Sequence, residues 1–282
     1  MSARLRGIAK ETEEIVRAGG YRDPEGREVS IAAELAAALG GTRLFGPEPG
    51  PPGPVPVTGS APSRTAFAVT DESSIRAARR MKAERPGAVA VLAFASARNP
   101  GGGYLNGAQA QEEALCRSSA LYACLLRVPD FYAVHRQVRS AFYTDRVIHA
   151  PGVPVFRDDR ARLLREPRTV GFLVSAAPNA GVIAARTPDE AHLIPPALTT
   201  RAGRVLETAV ACGYRRLVLG AWGCGVFRND PARVAEAFHT HLTGDGRFAA
   251  HFEEVAFAVL DRDPASATRA AFRRTFAGQV QP

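Results

Sequence analysis

Long apolar runs are missing: no stretch of about 18 apolar residues interrupts the polar pattern, so the sequence offers no candidate membrane-spanning helix. The opening segment MSARLRGIAKETEEIVRAGG has no apolar stretch of the signal-peptide kind and carries Glu11, Glu13 and Glu14. It reads as a helix, and a cytoplasmic protein is expected. Cysteine is scarce. Cys116, Cys124, Cys212 and Cys224 form no CxxC pair and have no histidine at zinc-finger spacing, so free thiols are expected and no metal site is. Lysine is nearly absent: Lys10 and Lys82 leave arginine as the source of almost all positive charge in a net balance of +8. Two readings of that bias stand side by side. It is a surface spread without a purpose, or it is a field that draws in a polyanion, for which the planar guanidinium fork is suited. No nucleic-acid motif accompanies the charge, so direct nucleic-acid binding is not expected. The chain also lacks a G-x-G-x-x-G turn and a Gly-Lys-Ser/Thr phosphate loop, which argues against a nicotinamide dehydrogenase or a kinase.

What is present is a chain of 282 residues, 46% hydrophobic and 23% charged, large enough to bury a core without disulfides. Residues 1–44 are expected to be helical, with apolar spacing over Glu11–Arg17 and Val29–Leu39. Gly46–Arg64, rich in proline and glycine, is a linker or surface loop. The expected division is therefore a helical extension and linker over 1–64 and a main domain over 65–282. From there strands and helices alternate. Strands are expected at Ala66–Val69, Ala88–Ala95, Arg146–Ala150, Val153–Phe156, Thr169–Ala176, Arg216–Leu219 and Glu254–Leu260. Helices are expected at Ser73–Glu84, Gln111–Arg127, Leu198–Cys212 and Pro231–Leu242. This order implies an α/β sheet with helices on both faces. Ligands of such sheets bind beyond the carboxyl ends of strands, which directs attention to the loops Ser96–Gln111, Ala177–Gly181 and Gly220–Asp230.

The first loop reads ASARNPGGGYLNGAQAQEE. Gly101, Gly102 and Gly103 permit close approach of a ligand and positive φ, and a glycine turn entering a helix suits a sugar phosphate. Glu112 and Glu113 open that helix. Acidic residues in a first turn commonly do no more than offset the helix dipole. Adjacent helical residues point about 100° apart, so these two cannot flank a bond as an opposed glycosidase pair does. If a glycosidic bond is cut here, one carboxyl is the acid and the other holds sugar hydroxyls. The helix terminus favours the anion, and a substrate diphosphate beside the acid would push its pKa back up. The third loop, LGAWGCGVFRND, offers backbone amides at Gly220, Gly223 and Gly225 that can wrap a diphosphate without lysine. Phe227 either stacks on a base or ribose or is a packing aromatic. Trp222 reads as packing, and Cys224, with no histidine at a recognisable spacing, as a small filler rather than a nucleophile.

The run GGGYLNGAQAQEE, joining a Gly-Gly-Gly turn to Gln111-Glu112-Glu113, resembles the signature of poly(ADP-ribose) glycohydrolases. FASARNPGGG, ALCRSSALY, IHAPGVPVFRDD, SAAPN and GAWGCGVFRNDP resemble the bacterial short form of that family over residues 65–262. The resemblance implies a macrodomain-like fold, a mixed sheet in a three-layer α/β/α sandwich. It implies hydrolysis of the ribose–ribose bond of poly(ADP-ribose) from chain ends, releasing ADP-ribose, with no cofactor and with ADP-ribosylated proteins as substrate carriers. It implies Glu113 as the acid, with Glu112 on the ribose hydroxyls and Gly101 to Gly103 along the diphosphate and distal ribose. Gly223, Cys224, Gly225 and Val226 would form the diphosphate loop and Phe227 the adenosine side. Asn99, Gln111, Pro178 and Asn179 would complete the substrate contacts. The chain departs from the family pattern at Ala93, where relatives are expected to carry asparagine. Asp71 and Glu72 are positional candidates for reading adenine. Two other functions fit the glycine loops: a non-catalytic ADP-ribose-binding macrodomain, which needs no acid at the bond, and a hydrolase of single ADP-ribose groups on proteins.

Overall fold

The computed structural model describes residues 2–48 and 64–279. Residues 49–63, most of the proline-rich stretch expected to be a linker or loop, lie outside the described residues. The elements are, in chain order, α1 (Ala3–Ala18), β1 (Gly20–Arg22), β2 (Glu28–Ser30), α2 (Ala32–Gly41), β3 (Arg43–Phe45), β4 (Ala66–Thr70), α3 (Ser74–Glu84) and β5 (Ala90–Phe94). A 3-10 turn at Tyr104–Asn106 precedes α4 (Gln111–Ser118), α5 (Leu121–Leu125), α6 (Pro129–Gln137), β6 (Val147–Arg157), β7 (Leu163–Ser175) and α7 (Ala180–Arg186). After a second 3-10 segment, Pro188–Leu193, come α8 (Ile194–Ala211), β8 (Arg216–Leu219), α9 (Pro231–Leu242), β9 (Glu254–Ala258) and α10 (Ala267–Thr275).

The central sheet has seven strands in the order β3-β6-β7-β5-β8-β9-β4. From β7 to β4 the strands run parallel, and β6 and β3 extend the sheet antiparallel. Strand β5 shows why both faces must be covered. Val91 and Ala93 enter one apolar cluster with Ile15 of α1, Leu35 of α2, Met81 of α3, Leu115 of α4 and Phe131 of α6. Ala90 and Leu92 enter the other with Leu206 of α8, Phe238 of α9 and Phe272 of α10. Successive side chains of a strand point to opposite faces, so a strand apolar at every position buries both. The expected three-layer mixed sandwich is the fold observed. Ala93, where asparagine was expected, is fully buried in the first cluster.

Several local expectations are corrected. Residues 1–44 are not helical throughout: Gly19, at φ +69°, ends α1, and the Tyr21–Val29 pairing makes a small hairpin before α2. Strand β3 pairs with β6 at one edge of the main sheet while β4 forms the other edge, so the first 45 residues share the main core. The helix expected over Gln111–Arg127 breaks at Ser119, which bridges to Val155 on β6. The two strands expected at 146–150 and 153–156 are one strand with an irregularity between Ala150 and Val153, where Gly152 takes φ +55°. Helix α8 begins at Ile194, ahead of the expected Leu198, because Pro195 and Pro196 are favourable in a first turn. Helices α6, α7 and α10 were not anticipated.

Buried arginines pin element ends. Arg201 pairs with Asp145 at 2.7 Å and donates to the Ala176 carbonyl at 2.7 Å. Arg216 joins Glu254 at 3.1 Å and the carbonyls of Arg85 and Met81. Each holds a carboxylate and a main-chain oxygen at once, which needs the forked guanidinium. Among the described residues no helix is long and apolar enough to cross a membrane.

Candidate active site

The three loops singled out in the sequence leave the carboxyl ends of β5, β7 and β8, which are neighbours in the sheet. They therefore converge on one end of the sandwich. Helix α4 starts there, and Gln111 in its first turn is tied to β5. Its side-chain oxygen accepts from the Phe94 N–H at 2.9 Å, and its amide donates to the Leu92 carbonyl at 2.8 Å and to Ser74 Oγ at 3.0 Å. The next two side chains face the glycine loop. Glu112 Oε2 accepts from the Ser96 N–H at 2.7 Å, and Glu113 Oε1 accepts from the Gly103 N–H at 2.9 Å. Both carboxyls are buried, and the second oxygen of each, Glu112 Oε1 and Glu113 Oε2, has no protein partner. A buried polar atom left open in this way is accounted for by a ligand group that completes it. Burial holds the Glu112 carboxyl well above the ordinary carboxylate range, and the charge of Glu113 adds to the rise.

Glycine is obligatory at the centre of this loop. Gly102 has φ +56°, and a Cβ there would stand 2.5 Å from Glu113 Oε1 and 3.3 Å from Glu112 Oε2. Gly101, at φ +62°, is closed in by the Tyr122 ring and Cys116. The main chain thus lies against both carboxyls with no side chain between.

The loop after β8 leaves the strand beside β5 at the same end of the sheet. Its N–H groups at Gly225, Val226 and Phe227 carry no protein partner among the described residues, whereas that of Cys224 is taken by the Ala221 carbonyl at 3.1 Å. Consecutive open amides of this kind bind anions. Val226 is 80% exposed at the tip. Phe227 is half-buried, its ring 5.9 Å from that of Tyr143. The loop is locked to its neighbour by Asn229, which is buried and donates to the carbonyls of Pro178 at 2.7 Å and Gly223 at 3.1 Å. The segment before β6 contacts all three loops. Arg136 donates to the Arg98 carbonyl at 2.7 Å, the Asn179 N–H donates to the Ala141 carbonyl at 2.8 Å, and Tyr143 sits at φ +59° against Phe227.

Residues 9–158 match the family of microbial-type PARG catalytic domains. The chain belongs to that family. It is 49% identical to a poly(ADP-ribose) glycohydrolase from Thermomonospora curvata whose crystal structure superposes with a TM-score of 0.90, covering 98% of this chain and 100% of that one. The same bacterium's enzyme bound to the inhibitor ADP-HPD matches at 50% identity and TM-score 0.88, with the same coverage. A poly(ADP-ribose) glycohydrolase from Deinococcus radiodurans in complex with ADP-ribose matches at 44% identity and TM-score 0.77, covering 86% of this chain and 96% of that one. Comparison with curated proteins gave no match.

Within this microbial-type PARG domain the expected site residues divide. Glu112 and Glu113 face Gly101, Gly102 and Gly103 directly, Gly223, Gly225, Val226 and Phe227 lie on the loop that leaves the adjacent strand β8, and Asn99 is exposed, its carbonyl accepting from the Gly102 N–H at 3.0 Å. Four expected substrate contacts have side-chain or carbonyl partners within the protein. Gln111 uses both ends of its amide on the protein, which ties the start of α4 to β5. Asn179 caps α7, accepting from the Val182 N–H at 3.1 Å, and Pro178 is buried with its carbonyl given to Asn229. Cys224 packs its side chain toward the apolar core, and burial pushes its thiol up to about 12, in keeping with a filler. Of the adenine candidates, Glu72 is buried against Arg80 at 2.8 Å, and the half-exposed Asp71 pairs with Arg269 at 2.8 Å. Trp222 packs as expected, fully buried, its indole N–H on the Ser175 carbonyl at 2.9 Å. Asn229 and Tyr143 were missed. The Asn-Asp pair ending the glycine loop hinted at the first; nothing local hinted at the second.

Proposed function

We propose that this chain hydrolyses ribose–ribose O-glycosidic bonds of poly(ADP-ribose) from chain ends, with Glu113 as a single carboxyl that serves in turn as acid and base. The observation that carries the reading is the state of that carboxyl: Oε1 clamped by the Gly103 N–H, Oε2 buried and open, and a glycine backbone against it. An open, oriented oxygen can carry the proton that the departing ribose oxygen needs. As the glycosidic bond breaks, its electron pair goes to the leaving oxygen, which takes the Glu113 proton. The positive charge grows on the ring oxygen and anomeric carbon of the terminal ribose. The Glu113 carboxylate then removes a proton from a water that adds to that carbon, which restores the acid and releases ADP-ribose.

Glu112 Oε1 is placed to take a ribose hydroxyl. The open amides of 225–227 receive the diphosphate. The aromatic pair Phe227–Tyr143 lines the adenosine side. Exposed Arg98 and Arg136 beside the glycine loop add a positive field that suits a polymer carrying a diphosphate in every unit. The chemistry lies within 65–282, with 1–48 supplying an edge strand and a brace. Four unpaired cysteines fit a reducing, cytoplasmic setting.

The test is to incubate the purified chain with poly(ADP-ribose) and follow free ADP-ribose. Glu113→Gln is expected to keep ADP-ribose binding and abolish release. Release by that variant at the wild-type rate overturns the assignment of the acid. No release by either form points instead to a protein that only binds ADP-ribose.

A further inference from the structure

The acid depends on the relative position of two pieces of chain. Glu113 stands on α4, and the Gly103 N–H that orients it belongs to the loop ten residues earlier, at 2.9 Å. Helix α1 holds both pieces. On the loop side, Tyr104 follows Gly103 directly and is fully buried, and its hydroxyl lies 2.9 Å from Glu13 Oε1 and 3.2 Å from the Ala9 carbonyl. Its ring packs on Tyr122 at 5.0 Å, and Tyr122 is the ring that closes in Gly101. A second grip lies three residues on, where the Ser2 N–H reaches the Gly107 carbonyl at 3.4 Å. Gly107 has φ +78°, and a Cβ there would meet the Ser2 carbonyl oxygen at 2.5 Å. On the helix side, Thr12 Oγ1 donates to the Arg117 carbonyl in the last turn of α4 at 3.0 Å, and Arg117 reaches back to the Ala108 carbonyl at 2.6 Å. Glu13 and Thr12 are neighbours on α1, so one rigid helix spans loop and helix together.

We propose that Glu13 and Tyr104 are positioning residues for the glycosidic cleavage, a half-buried carboxylate and a buried hydroxyl through which α1 sets the Gly103 N–H against Glu113. The inference rests on Glu113 being the acid. Tyr104 cannot rotate its hydroxyl to water, because it has no exposed surface. Removing Glu13 leaves the buried hydroxyl only the longer contact to the Ala9 carbonyl, and removing the hydroxyl breaks the tie from α1 to the residue after Gly103, so in either case Tyr104 can relax with Gly103 attached to it. Neither side chain is placed to touch the sugar or the diphosphate. The pair therefore acts on the orientation of the acid more than on how tightly the substrate is held.

The experiment compares Tyr104→Phe, Glu13→Ala and Glu13→Gln in the full chain. Rates and KM are measured on poly(ADP-ribose), ADP-ribose affinity by calorimetry, and folding by thermal melting. Displacement of a catalytic group by a fraction of an ångström is expected to lower kcat about tenfold in Tyr104→Phe and Glu13→Ala, with KM and ADP-ribose affinity within about twofold of wild type. Glu13→Gln presents an oxygen to the same hydroxyl and is expected to restore most of kcat. A Glu13→Gln variant as slow as Glu13→Ala overturns the proposal. So does a Tyr104→Phe enzyme that melts lower but turns over at the wild-type rate, since that is what a purely structural contact gives. If Glu113→Gln is inactive while both brace variants are fully active, the brace fails and the acid stands. If Glu113→Gln is itself active, the assignment beneath the brace has failed.

Discussion

Replacing Gly102 by alanine puts a single methyl group between the glycine turn and the Glu113 carboxyl, the proposed acid. Two costs follow from the geometry. The residue sits at φ +56°, a left-handed conformation that costs a side-chain-bearing residue roughly 1–2 kcal/mol. The new Cβ would also stand 2.5 Å from Glu113 Oε1, half an ångström inside the 3.0 Å below which real Cβ atoms essentially never come. The carboxylate is held on its other side by α4, so it can retreat only by weakening the Gly103 hydrogen bond or shifting the loop. A misplacement of this order at a reacting group is expected to lower kcat by about ten- to a hundredfold. The assay is initial release of ADP-ribose from polymer, with a thermal melt alongside. Gly152→Ala is the control. It has φ +55° with nothing within 4 Å of the built Cβ, so it carries the backbone strain without the clash, and it lies at the β6 irregularity. A comparable loss of stability in both variants with a loss of kcat in Gly102→Ala alone is the expected pattern. Wild-type kcat in Gly102→Ala would refute the idea that the loop backbone positions the acid.

Glu112 is raised by burial above its ordinary 4.5. The folded chain therefore keeps this proton longer than the unfolded chain, and the group's contribution is fullest below about pH 4.5 and declines as pH rises. Glu112→Gln, which keeps an oxygen for the Ser96 N–H and cannot ionise, is expected to gain in urea midpoint over wild type between about pH 5 and pH 8. A gap that does not change with pH would exclude this. Cys224, held up to about 12, is expected to resist iodoacetamide at about pH 8, and Cys224→Ala to keep kcat within about twofold; rapid alkylation with loss of activity would contradict the filler reading. Asn229→Ala removes a buried bond that joins the loop after β8 to the one after β7, and a second bond within the loop after β8. It is expected to cost about 1–3 kcal/mol of stability and to weaken ADP-ribose binding in calorimetry; an unchanged affinity would show that the amides of 225–227 hold their shape without it.

The sequence made some features plain and concealed others for physical reasons. Strand β5 was legible because an apolar run bounded by Gly87 and Asn99-Pro100-Gly101 has few alternatives. The end of the sheet that carries the site followed from strand–helix alternation. Glu113 as acid was not legible from helix position, where a first-turn carboxylate is ordinary. The joined glycine and Gln-Glu-Glu motif singled it out, and the structure adds the open buried oxygen. Gln111 shows the converse. The motif marked it, but its partners are the main chain of a strand aligned only by folding, 17 and 19 residues away. Asn229 and Glu13 find their partners across 51 and 91 residues, and no local pattern reports a contact of that kind. Strand β3 was missed because three residues at a sheet edge carry too little alternation to register.

The buried arginines have a consequence for how the enzyme can be handled and controlled. A guanidinium stays protonated at any pH a cell reaches, and acylating enzymes that neutralise lysine have no purchase on it. With only Lys10 and Lys82 in the sequence, neither the ties that fix the element ends nor the positive rim of the cleft can be adjusted by lysine acetylation. The diphosphates of the polymer keep their charge throughout, and the counter-charge that meets them is built to be equally constant.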